Sequence, residues 1–371
     1  MINLIIIILS STFIIYSIFI SIINLFWRQK NSGINTESNL SILIPARNEE
    51  KNLPKCINSI IKSETNFSEI IIYNDHSTDG TEEEIIRYEK IDPRIKKAKT
   101  KKLKPGWTGK SYACYQLAKE AKSEWILFLD ADTNTEGELS QLITEAKTLN
   151  VTMLSAWPKI TIRSISETLF MPLLNFIVFT MCPLILSKKI SSSNLGIAHG
   201  ACILFSRETY LKLGGHKLVK EDLFEDTRLA RIWRIRQEKT YCIDGSKIIS
   251  VRMYDSFSLI WSGFKKNYYP SFSKDLSFHL FQLTFFISYL IIPISLLIFI
   301  IYDFYKWISM IFLILNFVPR MIINLKFNYG LLSLILHPFS IFIMLILGFN
   351  SWWSFRYGKG LEWKNRFYEK K

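Results

Sequence analysis

The sequence predicts an α/β fold: a mixed, mostly parallel sheet with flanking helices, joined to transmembrane helices at both ends of the chain. Three observations predict it. Residues 2–27, 168–187, 276–302 and 327–355 contain no Asp, Glu, Lys or Arg. Between the first and third of these runs, short apolar segments alternate with amphipathic ones, the rhythm of βα units. Carboxylate-rich stretches stand where the apolar segments end, which is where such sheets bind ligands. Of 371 residues, 49% are hydrophobic and 21% charged. That balance excludes a disordered chain, and uncharged runs of this length exclude an ordinary soluble enzyme.

The run 2–27 is too long for the apolar core of a signal peptide and lacks a basic start and a small-residue cleavage site, so it reads as a membrane anchor. Arg28 and Lys30 follow it, and the positive-inside rule places the next residues in the cytoplasm. Residues 31–39 are a polar linker. Strands are expected at 40–45, 69–74, 125–129, 151–157 and 199–206, with two more in 239–253. Helices are expected at 51–62, from Asp79 to about Lys90, and at 110–121, 136–148 and 226–236. The run 168–187 is long enough to cross a bilayer, but a single crossing would put Asp130 and Asp226 on opposite sides. It is read as interfacial or re-entrant, with Pro172 and Pro183 breaking it. Residues 256–269 suit an amphipathic helix on a membrane surface. Residues 276–302 and 327–355 can each span. The thirteen residues 307–319, bounded by Lys306 and Arg320, read as too short for a third span. The tail 356–371 has six Lys/Arg against two Glu.

Lys and Arg exceed Asp and Glu by 46 to 32, a net charge of +14. With so much apolar sequence, this excess fits an anionic membrane surface or a phosphate-bearing substrate; seven of the eleven residues 94–104 are basic and could face headgroups or simply water. No motif for nucleic acid is present, and none is expected as a partner. The five cysteines form no CxxC pair, and their odd number gives neither zinc spacing nor a disulfide framework. They read as small buried apolar residues, reduced in a cytoplasmic domain.

Five short motifs carry chemistry. Asp130-Ala131-Asp132 ends the apolar stretch WILFL, and two carboxylates one residue apart can hold a hard divalent cation against a diphosphate. Pro45-Ala46-Arg47-Asn48-Glu49-Glu50 follows the first strand, and Asn74-Asp75-His76-Ser77-Thr78-Asp79-Gly80-Thr81 follows the second; both offer acceptors for a nucleotide. Gly106-Trp107-Thr108-Gly109-Lys110-Ser111 ends like a phosphate-binding loop but has Lys104 where that motif requires glycine, so what remains is a lysine at a helix start. Phe224-Glu225-Asp226-Thr227 heads a helix, where an acid either caps the helix or acts as a base.

In this order, on this framework and between membrane segments, the five motifs resemble those of family 2 glycosyltransferases of the GT-A fold over about residues 40–270. More narrowly, GWTGKSYAC at 106–114, EDTRLA at 225–230, RMYDSFSLIWSGFKKN at 252–267 and WKNRFY at 363–368 are similar to membrane-bound enzymes that glycosylate carotenoids or belong to the hopanoid-associated group. The resemblance implies an inverting hexosyltransferase that moves a sugar from a nucleotide diphosphate sugar, a UDP-sugar first, to a lipid acceptor. It implies that Pro45, Arg47, Asn48, Glu49 and Asp75 line the nucleotide pocket. Asp130 and Asp132 bind Mg²⁺ or Mn²⁺ and, through it, the diphosphate; Gly200 lies near the sugar; and Asp226, with Glu225 beside it, is the catalytic base. Lys110 as a diphosphate contact is our inference from its helix position. The expected organisation is an anchor at 1–28, a cytoplasmic catalytic domain at 40–270, a membrane region at 276–355 and a basic tail at 356–371. The chain departs from the processive polysaccharide synthases, which carry QxxRW after the base; here the region reads RMYDSFSLIW. A processive synthase and a non-catalytic membrane protein with a degenerate domain stay as alternatives.

Overall fold

The computed structural model describes residues 2–27, 39–272, 274–303, 305–358, 361–363 and 366–368. Arg28, Lys30 and most of the polar linker lie outside the described residues, as do parts of the tail motif at 363–368. The chain forms two units. A globular unit comprises Trp27–Thr161 and Leu186–Met253, and an apolar unit comprises Met1–Phe26, Ile162–Ile185 and Tyr254–Lys371.

The globular unit is built on ten strands: β1 (Leu40–Ala46), β2 (Glu69–Asn74), β3 (Ile95–Lys97), β4 (Trp125–Leu129), β5 (Thr133–Thr135), β6 (Met153–Trp157), β7 (Lys159–Ile160), β8 (Cys202–Ser206), β9 (Thr240–Asp244) and β10 (Ile249–Val251). Seven form the main sheet in the order β3-β2-β1-β4-β8-β6-β9, and β5-β10-β7 form a small second sheet. The four pairs β1–β2, β1–β4, β2–β3 and β6–β9 are parallel, whereas β8 runs antiparallel to both β4 and β6. Strands β2, β4 and β6 are buried at every residue. That explains their predominantly apolar sequences, WILFL in β4 and the III centre of β2, because both faces of such a sheet are covered. The crossover helices Leu53–Lys62, Thr81–Ile91, Gly109–Glu120 and Gln141–Leu149 follow the expected positions within a few residues. The short strands β3, β5 and β7 carry too few residues for a periodic signal and were not anticipated.

The single reversal at β8 matters for function. Leu129 pairs with Cys202, and the Asp130 N–H donates to the Ala201 carbonyl at 3.1 Å. An antiparallel neighbour starts where β4 ends, so Gly200 and Ala201 arrive beside Asp130 at the ligand-binding edge.

In the apolar unit, four helices are long and apolar enough to cross a membrane: Ile7–Leu25, Asp275–Ile301, Lys306–Phe327 and His337–Arg356. The protein is membrane-associated. The third of these corrects the sequence reading of 307–319. The helix continues through Pro319 and Arg320 to Phe327 for 22 residues, because Arg320 is buried within the unit and so does not mark a boundary with water. Pro172 likewise fails to break its segment. Ile165–Met181 is one 17-residue helix, shorter than a span. The N-terminal helix buries a polar stripe of Ser10, Ser17, Ser21 and Asn24. Ser10 meets Ser288 at 3.0 Å, and the Asn24 amide donates to the Phe179 and Cys182 carbonyls at 3.0 and 2.8 Å. Small and polar residues joining helices in this way are how apolar helices associate in a membrane.

Candidate active site

The loops after β1 and β2 are tied to each other. The Asn48 N–H donates to Ser77 Oγ at 3.0 Å, the Glu49 N–H to Thr81 Oγ1 at 2.8 Å and the Glu50 N–H to Asp79 Oδ2 at 3.2 Å. In return, the N–H groups of Thr78 and Gly80 donate to Asn48 Oδ1 and Glu50 Oε2 at 2.9 and 2.8 Å. Arg47 Nη1 donates to the carbonyls of Asp75 and His76 at 2.7 and 3.1 Å. Asn48 and His76 adopt left-handed φ values of 54° and 53°, a conformation that asparagine tolerates better than most residues. The expected nucleotide-pocket residues Arg47, Asn48, Glu49 and Asp75 therefore stand together in one cross-braced pair of loops. Pro45 lies one step inside, opposite Tyr73 in the sheet.

A second cluster surrounds Gly200. Lys110 Nζ lies 2.8 Å from Asp130 Oδ1 and 3.1 Å from Glu225 Oε1. Asp226 Oδ2 accepts from the Gly200 N–H at 2.8 Å. A β-carbon placed on Gly200 would sit 3.0 Å from Lys110 Nζ, 3.2 Å from Asp226 Oδ2 and 3.7 Å from Asp130 Oδ2. These distances bring residues 110, 130, 200, 225 and 226 to one point, and glycine is needed there because a side chain would displace the charged groups.

Two helix starts deliver this cluster. Thr108 caps Gly109–Glu120, its Oγ1 accepting from the Ser111 N–H at 3.3 Å, and Lys110 sits in the first turn. Glu225 and Asp226 open Glu225–Ile235, where carboxylates interact favourably with the helix dipole. Phe224, rather than Asp226, is the capping residue, so the Asp226 carboxylate is left to face Gly200. Thr227 ties the helix to the preceding turn: its Oγ1 donates to the Ala198 carbonyl at 3.0 Å and accepts from the Ala198 N–H at 3.3 Å.

The electrostatics follow from crowding. Loss of water and the charge of Glu225 push the Asp226 carboxyl up to about 7, against the pull of the Thr227 and Gly200 N–H groups and Lys110. For Lys110, loss of water works against the charge, but Asp130 and Glu225 outweigh it and hold the ammonium well above the usual lysine range. The Cys56 thiol is pushed far up, first by burial and then by Asp132, Asp130 and Glu49. Those three carboxylates therefore act on one buried point below the strand ends, and Cys56 stays a thiol.

The sequence reading left the support of this site unassigned. His199 Nδ1 accepts from the Ala201 N–H at 3.2 Å, the backbone N–H of His199 donates to Ser155 Oγ at 2.9 Å, and the imidazole meets the Trp157 ring edge-on at 5.1 Å. Burial, with Lys110 adding to it, pushes the imidazole down to about 3, so it is neutral and free to accept. The one available signal was its place next to Gly200. Part of the basic run 94–104 has internal partners: Arg94 pairs with Asp92, Lys96 with Glu69, Lys97 with Glu82, and Lys101 donates to Gln116. All five cysteines are free, four of them buried. Among the described residues, no group of three or more His, Cys, Asp or Glu is placed to hold a metal by itself.

Comparison with known proteins agrees with this geometry. Residues 41–214 match the sequence profile of Glycosyl transferase family 2. The chain is 30% identical over 244 residues to the 4,4'-diaponeurosporenoate glycosyltransferase of Staphylococcus haemolyticus, covering 64% of this chain and 63% of that protein. It is 27% identical over 237 residues to the enzyme of the same name from Staphylococcus aureus, covering 62% and 60%. The matched segment thus spans less than two thirds of these relatives. Among solved structures, the mannosyltransferase PcManGT from Pyrobaculum calidifontis, in complex with GDP-Man and Mn²⁺, superposes with a TM-score of 0.56 over 95% of this chain and 98% of that one, at 13% identity. Its likeness extends the agreement in fold to the apolar helices. The strand order, the loops at the strand ends and the profile match converge: over residues 41–214 this chain carries a domain matching Glycosyl transferase family 2, within a GT-A architecture.

Proposed function

We propose that the protein is an inverting glycosyltransferase that moves a sugar from a nucleotide diphosphate sugar to a lipid acceptor in the membrane. The observation that carries this reading is the cluster of Lys110, Asp130, Glu225 and Asp226 around Gly200, at the ligand-binding edge of a family 2 domain joined to membrane helices. The relatives named for a carotenoid acceptor favour a lipid of that kind, and PcManGT, which binds GDP-Man and Mn²⁺, favours a nucleotide sugar donor and a divalent metal.

The residues present fit such a metal. Asp130, Glu225 and Asp226 gather around Lys110, three carboxylates to one ammonium, so this cluster is short of positive charge for an anionic diphosphate. Asp130 and Asp132 would hold Mg²⁺ or Mn²⁺ through hard carboxylate oxygens. When bound, the cation would supply charge stabilisation for the departing diphosphate. Lys110, positioned by its helix start, adds a second positive group on the same side. The braced loops bearing Pro45, Arg47, Asn48, Glu49 and Asp75 would receive the nucleoside, already ordered before it binds.

Asp226 acts as the base. Its carboxylate takes the proton of an acceptor hydroxyl as that oxygen attacks the anomeric carbon. The bond to the diphosphate breaks with its electron pair on the leaving oxygen, and attack from the opposite face inverts the centre. A group whose pKa lies near 7 is well matched to this work at neutral pH. Burial and, after it, Glu225 raise that value, and Glu225 also pairs with Lys110. An acceptor carboxylate would attack without needing the base. The apolar unit would hold the acceptor, with the catalytic domain on the cytoplasmic side.

The test uses membranes containing the full chain, incubated with Mn²⁺ and radiolabelled UDP-glucose, then GDP-mannose and other nucleotide sugars, followed by lipid extraction. Label is expected in an organic-soluble product with the native chain and, where the acceptor is a hydroxyl, not with Asp226→Asn. Absence of label with every donor and every lipid extract would overturn the reading.

A further inference from the structure

Among the described residues of the apolar unit, one buried cation has no ion-pair partner. Arg320 is the fifteenth residue of Lys306–Phe327 and has no exposed surface. Its Nη2 donates to the Ser333 carbonyl and hydroxyl at 3.2 and 2.7 Å, and its guanidinium lies 5.7 Å from the centre of the Phe176 ring. Nε and Nη1 are buried and have no hydrogen-bond partner. His337, 2% exposed, packs its ring against Phe176 at 4.6 Å, and both of its ring nitrogens are likewise buried and unpartnered. Four unmet polar atoms thus gather around one phenylalanine. Among the described residues, Arg320 makes no ion pair. Three acids of this unit are engaged elsewhere: Asp275 with Arg356, Asp303 with Lys306 and Glu167 with the Ser164 hydroxyl.

A buried charge without a partner is strongly unfavourable, and ionisable groups inside apolar helices mark binding sites or pathways. Buried donors left unpaired call for a missing acceptor. The single-turn helix Leu331–Ile335 turns Ser333 inward to Arg320 while leaving Leu331, Leu332 and Ile335 largely exposed. The site therefore has a polar bottom under an apolar outer surface. Arg320 lies seven residues from the end of its helix, a depth of about 10 Å. An occupant must bring an anionic oxygen group and an apolar body together.

We propose that Arg320, His337 and Ser333 form a binding site for the acidic head of an amphiphilic lipid, a carboxylate or a phosphate, whose chain lies along Leu331, Leu332 and Ile335. This site is argued from the apolar unit alone and does not depend on the glycosyltransferase reading.

The experiment uses the full chain in neutral phosphatidylcholine nanodiscs. Binding of radiolabelled oleate and of radiolabelled oleoyl lysophosphatidic acid is measured beside oleyl alcohol, with inorganic phosphate as competitor. Saturable binding of one or both acids is expected, at least about tenfold tighter than oleyl alcohol. Which acid binds identifies the head as carboxylate or phosphate. R320Q is expected to lose this preference and R320K to retain part of it. Because R320Q could unfold, the native chain is also labelled with a photoreactive oleate, and the label is expected on residues 316–340. Equal binding of acid and alcohol, full displacement by inorganic phosphate, unchanged acid binding in a folded R320Q or label confined to other segments would each overturn the proposal.

Discussion

Asp226 gathers the chemistry of the site into one titration. Its carboxyl is raised to about 7 by loss of water and by Glu225, and only its charged form can accept a proton. Transfer to a hydroxyl acceptor should therefore rise with pH through about 7. In Glu225→Gln the limb should move to lower pH, because a charge that disfavours ionisation is removed; a pH profile of kcat/KM checks this. Asp226→Asn should lower transfer by ~10²–10⁴-fold while leaving donor binding intact, as measured by calorimetry. The linkage has a definite sign. A raised carboxyl pKa favours the fold when protonated, and that advantage is lost as pH rises through the folded value. Asp226→Asn should thus melt above the native chain at pH 8, with the gap closing towards about pH 4. Gly200→Ala brings a methyl 3.0 Å from Lys110 Nζ. It should cut activity severely with little change in stability, since the side chains it displaces are partly open to solvent; assay and thermal melting on the same preparation separate the two.

At the scale of elements, short tethers aim the cluster. Thr108 fixes the start of the helix bearing Lys110, and Thr227 fixes the start of the helix bearing Asp226 to the turn before β8. Thr227→Val keeps the shape and removes both hydrogen bonds, at a cost of about 1–3 kcal/mol. It should also lower kcat more than it raises KM if, as proposed, the group it displaces is the base of the chemical step. Much of this level was legible in the sequence. WILFL and the III core of EIIIYN mark their strands because buried strands have apolar centres. The helix starts shift by up to five residues, and Gly80 and Phe224 rather than Asp79 and Asp226 are the capping residues. The direction of β8 was not legible, since an apolar run of five has no polarity. The gathering of Lys110, Glu225 and Gly200 depends on that direction. Residues 307–319 were misread for a related reason: a buried arginine and a proline look like an end to a local pattern, while the surrounding helices decide otherwise.

For the whole molecule, sequence already divided the chain into apolar and globular parts, because charge-free runs are the least ambiguous signal a chain carries. What it did not reveal is that the N-terminal helix is a working member of the apolar unit, with its Ser10, Ser17, Ser21 and Asn24 stripe packed inside. Replacing Ser17 and Ser21 together with leucine preserves hydropathy and should still leave the chain in membranes after alkaline extraction. It should nevertheless lower thermal stability, as overpacking of a closed helix contact does. A protein merely tethered by that helix would show no loss.

The interrupted course of the globular unit has a consequence for how the protein is made. The chain leaves that unit at Thr161, enters the apolar unit for residues 162–185 and returns at Leu186. Lys110 and Asp130 are translated before this detour; Gly200, Glu225 and Asp226 come after it. During synthesis β4 must therefore wait with an unpaired edge until β8 arrives, a state prone to false pairing. Its proper neighbour emerges from the ribosome only once the apolar segment has done so. Biogenesis thus has an intrinsic order, in which residues 162–185 emerge first and the open edge of β4 is closed second.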